Sequence, residues 1–250
     1  MSVAAEAALL AGRNTRRFLR SPQLLGDAVA FPLILLLLML VMFGEVVAGS
    51  TEEPYIARLA PGIVLFSVAY SSAGTAVAHH LDLRGGLHGR LRTMPISPVS
   101  PLLGRIGGDL VKFTLVTVVT VAVGYLLGFR FRQGAPAALG FLLVALLFAV
   151  IFLWAALLVG ASVGSAESAN TALTTPVTLL LLLSTCLVPL SAFPDWAQPV
   201  IRLNPLSTAH SALLGLSWGG PVLTPVLQTL AWAAVSTVVL APLALRRSMR

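Results

Sequence analysis

Charge is scarce in this sequence. Asp, Glu, Lys and Arg together are 10% of its 250 residues, against about 25% in a soluble domain. Hydrophobic residues are 57%. That excludes a soluble globular chain, and a disordered one, because a Leu-, Val- and Ala-rich chain cannot stay solvated as a coil. Cysteine is nearly absent. Cys186 stands alone, which excludes a disulfide framework and any cysteine-based zinc cluster. Lysine is single too. Lys112 lies in Gly-Gly-Asp-Leu-Val-Lys-Phe, so the glycine cradle with Lys-Ser/Thr that holds nucleotide phosphates is missing. Every other basic residue is Arg, a usage typical of a GC-rich bacterial genome. The net charge of +7 does not point to nucleic acid, because in a membrane chain a Lys and Arg excess reports topology.

Long uncharged runs are abundant. A charge at the bilayer centre costs about 2.5–3.5 kcal/mol on insertion scales, so gaps between charges mark candidate spans. Such gaps separate Asp27 from Glu45, Arg58 from Asp82, Lys112 from Arg130, Arg132 from Glu167, and Glu167 from Asp195. A last run extends from residue 203 to 245. Its first half, rich in Pro, Gly, Ser and Thr, suits an interfacial or re-entrant segment. The expectation is an all-α membrane protein of one domain over residues 1–250, with six spans near 28–46, 59–80, 108–129, 137–160, 171–192 and 222–245. Twelve basic residues then fall on one side, among them Arg13, Arg84, Arg90, Arg105 and Arg246, and four on the other, Arg58, Arg130, Arg132 and Arg202. The positive-inside rule places the richer side and both termini in the cytoplasm. Residues 1–27 lack the apolar core of a cleaved signal. They read as a basic topogenic tail or as an amphipathic interfacial helix, with Leu9, Leu10, Phe18 and Leu19 toward lipid.

Catalytic and metal motifs are weak. His79, His80, Asp82 and His88 lie close in sequence, but adjacent histidines do not share a helix face, and no metal site is expected. Gly160-Ala161-Ser162-Val163-Gly164 matches a hydrolase elbow. At the end of a membrane helix, small residues at this spacing more often permit close packing. His210 falls on the opposite membrane face and His80 in a basic loop, so no catalytic residue is assigned. No charge falls mid-span; Asp109 and Lys112 are expected to snorkel to the surface. That argues against a self-energised carrier. Hydroxyls gather in spans two and five, and Ser67, Tyr70, Ser71, Thr75, Thr174 and Ser184 are candidates to line a pathway or to bond between helices.

The segment between spans two and three reads His-His-Leu-Asp-Leu-Arg-Gly-Gly-Leu-His-Gly-Arg-Leu-Arg-Thr-Met-Pro-Ile-Ser-Pro from residue 79. Leu83, Leu87 and Leu91 recur every four residues, as do Arg84, His88 and Arg92. These spacings predict a short amphipathic helix lying on anionic lipid or docking a cytoplasmic partner, ended by Pro95, Pro98 and Pro101.

These residues resemble the permeases of type-2 ATP-binding-cassette transporters, in the flavour of daunorubicin exporters. Asp82, Gly86, Leu91, Pro95, Ser97, Gly104 and Arg105 match the family's cytoplasmic loop. Pro194, Trp196, Asn204, Pro205 and Leu206 match its external segment, and Glu167, Asn170 and Pro176 its fifth span. The resemblance implies a plasma-membrane export subunit that makes and breaks no covalent bond. It implies a second permease copy or a sibling permease, and a separate ATP-binding subunit carrying the ATP and magnesium. That subunit would dock on Asp82, Leu83, Arg84, Leu87, His88, Arg90, Leu91, Arg92 and Glu167, and this chain would bind no cofactor itself. The substrate class it implies is amphipathic or hydrophobic: a drug, a lipid or a natural product. The competing expectations are a self-sufficient secondary carrier, a membrane-assembly protein without transport, and an intramembrane hydrolase.

Overall fold

The computed structural model describes residues 3–20, 22–48, 54–85 and 100–248. Among them the chain is helical with irregular connections and no strand. Helix α1 is Val3–Leu19, α2 Pro22–Ala48, α3 Tyr55–Arg84, α4 Ser100–Leu126, α5 Gly134–Ser162 and α6 Ala166–Leu182; a 3₁₀ turn at Leu190–Ala192 and short α7, Gln198–Leu203, lead to α8, Pro205–Ser217, and α9, Leu223–Ser248. Helices α3, α4, α5 and α9 are each long and apolar enough to cross a membrane, and α2 holds a shorter apolar stretch, Val29–Glu45.

Helix α3 is the hub. It packs against α2, α4, α5, α6 and α8, and nearly all of its residues from Tyr55 to His80 are buried. Small side chains make this possible: Ala57, Ala60, Gly62, Ala69, Ala73 and Ala76 let neighbouring backbones close in. At the α3–α5 crossing the fit admits only glycine, because a Cβ on Gly160 would lie 2.5 Å from the Ala76 carbonyl oxygen. His80 bonds that same turn, its Nδ1 lying 3.2 Å from the Gly160 carbonyl, while His79 Nε2 meets the Ser248 hydroxyl at 3.0 Å. The histidine pair therefore ties the C-terminal ends of α5 and α9 to the hub. Helix α5 carries no charge, as its central packing against α3, α8 and α9 requires.

Two expectations need correction. The fifth span does not run to residue 192. Helix α6 stops at Leu182 after 17 residues, about 25 Å at 1.5 Å per residue. Its last carbonyls are taken by side chains instead of a further turn: Asn204 Nδ2 donates to Leu180 at 2.8 Å and Leu183 at 2.6 Å, and Ser184 Oγ donates to Leu181 at 2.6 Å. Asn204 also caps α8, accepting from the Leu206 amide at 2.9 Å, with Pro205 at the first helical position. Helix α8 then packs among α3, α5 and α9 with most of its residues buried. A cation–π contact holds its far end: the Arg132 guanidinium lies 3.4 Å from the centre of the Trp218 ring.

The second correction concerns α1. Phe18 does not face lipid. It is 8% exposed and packs with Val116, Val29 and Leu115, whereas Leu9 and Leu19 are exposed. The reason lies in α4, where Gly107 and Gly108 leave room for Ala11 and Asn14 to approach closely. Ser100 Oγ donates to the Glu6 carboxylate at 2.6 Å, both groups buried, and fixes the other end of the contact.

Candidate functional site

The faces of α3 and α4 that meet toward the C-terminal end of α3 carry polar groups at helical spacing. On α3 these are Ser71, Thr75 and Asp82; on α4 they are Arg105, Asp109 and Lys112, at i, i+4 and i+7, one stripe of a helix. Asp109 and Lys112 do not snorkel. Each is 7% exposed, as is Arg105, because α1 covers the surface side of α4 and α3 supplies partners on the inner side.

The partners form a ladder of alternating charge. Arg105 donates from Nη1 to Asp82 at 2.7 Å, from Nε to Asp109 at 3.2 Å, and from Nη2 to the Thr75 carbonyl at 3.0 Å. Asp109 accepts from the Thr75 hydroxyl at 3.0 Å and pairs with Lys112 at 3.2 Å. Lys112 Nζ also donates to the Ser71 carbonyl at 3.1 Å and to Thr75 Oγ1. Two acids and two bases leave the ladder neutral, and its hydrogen bonds satisfy the buried ammonium and carboxylate. A neutral, fully bonded network is the form in which charges persist inside a membrane protein.

A cavity of about 380 Å³ opens beside the ladder, between α1, α3, α4 and α6. Arg105, Asp109 and Lys112 form its polar floor, with Asn14, Ser71 and Asn170 around them. Phe18, Ala73, Gly74, Val77, Ala78 and Leu81 form the apolar wall. Tyr70 stands on the rim and joins a ring group with Phe31 and Phe66, the Tyr70 centroid lying 5.1 and 5.5 Å from theirs. An apolar wall with few polar groups at one end suits an amphipathic ligand.

The expected pathway residues are divided by this geometry. Tyr70 and Ser71 line the cavity, and Thr75 lies behind its floor as a ladder member. Ser67 is buried between α3 and α4, donating to the Ile63 carbonyl at 2.7 Å and accepting from Thr120 at 3.4 Å. Thr174 donates to Asn170 within α6, and Ser184 sits at the far end of α6. Of the expected docking residues, Asp82, Leu83 and Arg84 end α3, and Glu167 is exposed in the first turn of α6. Leu87, His88, Arg90, Leu91 and Arg92 lie outside the described residues. In the external segment, Pro194 and Trp196 are exposed and Asn204 is buried at the joint of α6 with α8. Ser162 donates to its own helix at the Leu158 carbonyl, 2.7 Å away, and has no histidine partner among the described residues. The ladder itself went unpredicted. Its signal is present in the sequence, however, as three charges on one stripe of an otherwise apolar helix.

Comparison with known proteins agrees with this architecture. Residues 6–218 match the ABC-2 type transporter family. The chain is 29% identical over 251 residues to the probable doxorubicin resistance ABC transporter permease protein DrrC of Mycobacterium tuberculosis, covering 96% of this chain and 87% of that one. It is 31% identical over 234 residues to the daunorubicin resistance ABC transporter permease protein DrrB1 of Streptomyces coeruleorubidus, covering 94% and 82%. A doxorubicin resistance permease protein DrrB of M. tuberculosis is 31% identical over 194 residues, 73% of this chain and 65% of its own length. An all-helical membrane chain with no nucleotide cradle, matched nearly end to end by transporter permeases, belongs to the ABC-2 type transporter family as a membrane subunit of an ABC exporter.

Proposed function

We propose that this permease exports amphipathic or hydrophobic molecules, driven by ATP hydrolysed with magnesium on a separate subunit that docks on the cytoplasmic segment from Asp82 to Arg92, with Glu167 beside it. The observation that carries the substrate class is the cavity: an apolar, aromatic-rimmed wall over a polar floor of Arg105, Asp109 and Lys112. The names of the relatives make doxorubicin the first probe. Six spans with both termini in the cytoplasm remain our reading of the topology, from the twelve-to-four division of basic residues.

A second permease, a copy or a sibling, belongs to the same reading. Helix α6 exposes Thr171 and Thr175. Polar side chains facing hydrocarbon are unfavourable, and a neighbouring permease on this face supplies them with partners. Closure of the ATP-binding subunits then biases the membrane pair between inward- and outward-open arrangements.

The test is purification from the native membrane in mild detergent, followed by ATPase and vesicle uptake assays with doxorubicin. The expected result is a P-loop partner at one-to-one stoichiometry and ATP-dependent accumulation in inverted vesicles. A second reading, the self-energised carrier, is favoured by one observation: Asp109 and Lys112 are ionisable and buried in a candidate span. It predicts a single chain whose uptake collapses with the proton gradient and ignores ATP, and that outcome would replace the exporter reading.

A further inference from the structure

The charge ladder spans the two ends of one cytoplasmic segment. Asp82 lies two residues before the end of α3 and Arg105 lies in the second turn of α4, so their 2.7 Å ion pair joins the last turn of α3 to the start of α4. From that rung the ladder runs inward through Asp109 to Lys112, which holds Ser71. Ser71, Arg105, Asp109 and Lys112 also border the cavity. One network thus touches both the base of the segment and the cavity floor.

Its chemistry sets a register. The two helices run in opposite directions, and a slide of α4 by one turn, about 5.4 Å, would carry Asp109 onto the Ser71 carbonyl and strip Asp82 of Arg105. The first change sets the buried Asp109 carboxylate against a carbonyl acceptor, and the second breaks the outer ion pair. Buried ionic groups are best attested as devices that select one register over its neighbours. An apolar interface of alanine and valine has no such preference in lipid, where packing alone drives association.

We propose that Asp82, Arg105, Asp109 and Lys112 are positioning residues that lock the register of α3 against α4 and so tie the placement of the cytoplasmic segment to the cavity wall. The coupling part of this proposal rests on the exporter reading above; the register part does not. Movement imposed on the segment is delivered to the cavity through the ladder, and an occupied cavity resists it through the same bonds.

The variants are chosen to fold. Asp82 is the outermost rung, its side chain 20% exposed, so Asp82→Asn keeps shape and removes only charge, and Asp82→Glu restores the charge. Full-length protein with whatever subunit co-purifies is placed in lipid nanodiscs. Amide hydrogen exchange is read over residues 76–84 and 100–110, and ATP hydrolysis and doxorubicin uptake are read in vesicles. The expected result is exchange about tenfold faster in Asp82→Asn over both stretches, as loosened local structure opens more often, with Asp82→Glu within about twofold of the parent. Alongside it, Asp82→Asn moves less doxorubicin per ATP hydrolysed, and Asp82→Glu recovers the ratio. Unchanged exchange in Asp82→Asn overturns the proposal whatever the activity. Altered exchange with an unchanged ratio in a working exporter overturns the coupling role. A parent protein with no ATP-binding partner overturns the exporter reading instead, and the exchange comparison still decides the register lock.

Discussion

Arg105 is the residue on which most of the buried polar chemistry converges. Its guanidinium bonds Asp82, Asp109 and the Thr75 carbonyl at once, a fan that the compact ammonium of lysine cannot reproduce. Arg105→Ala removes the base that Asp82 and Asp109 share and leaves Lys112, at the inner end of the ladder, to Asp109. Removal of one member of a buried pair costs about 3–5 kcal/mol, and a large loss of thermal stability in detergent is the expected outcome, with Arg105→Lys intermediate. A variant as stable as the parent would show that water or lipid takes over the role. Asn204 plays a comparable part near the opposite end of α6, donating to two carbonyls and capping α8 with one side chain. Asn204→Asp preserves the cap but aims an acceptor at Leu180 and Leu183. It should cost about 1–3 kcal/mol through the unmet carbonyls and be worse than Asn204→Ala. Melting curves of the two variants, measured side by side, test that order.

At the scale of elements, the close crossing of α3 and α5 depends on a missing side chain. With the Ala76 oxygen only 2.5 Å from where a Cβ would stand on Gly160, Gly160→Ala must push two backbones apart. Overpacking of this kind costs about 1–3 kcal/mol, and lowered thermal stability with a perturbed His80 contact is expected; the same change at Gly164, where the space is open, should be silent. The helices themselves were legible in the sequence because charge is expensive in hydrocarbon, so the gaps between charges outline α2, α3, α5 and α9, whereas α4 starts well before its gap, at Ser100, with Arg105, Asp109 and Lys112 inside it. The end of α6 was not legible. No local breaker stops it at Leu182; its carbonyls are taken by Asn204, a residue 21 positions after Leu183, and a tertiary bond has no periodicity to read. Phe18 failed for a related reason. Its destination depends on the glycines of α4, which leave room for α1. The ladder lay between these cases: its spacing was visible, but a charge near a helix end snorkels or turns inward according to what covers it, and the cover is another helix.

For the whole molecule, the exposed Thr171 and Thr175 of α6 carry the expectation of a neighbouring permease. Cys186 is buried, so a cysteine introduced by Thr171→Cys is the accessible thiol. Mild oxidation in native membranes should link two permease chains through it, while Leu126→Cys, 86% exposed on α4, should not link. Equal linking at both positions would point to random collision. The distribution of arginine gives a separate check: labels attached near either terminus should be reached only from the cytoplasm, and labels near Trp196 only from outside.

The shortness of α6 has a bearing on the lipid around it. A helix of 17 residues falls several ångströms short of a hydrocarbon layer about 30 Å thick. Hydrophobic mismatch of this kind is relieved by thinning the bilayer beside the short element. On the exporter reading, a molecule leaving along that helix would cross less hydrocarbon than it would beside the longer helices α3, α4, α5 and α9. Transport should accordingly be fastest in short-chain phospholipids and slow as the acyl chains lengthen, with the membrane itself acting as part of the barrier that the permease lowers.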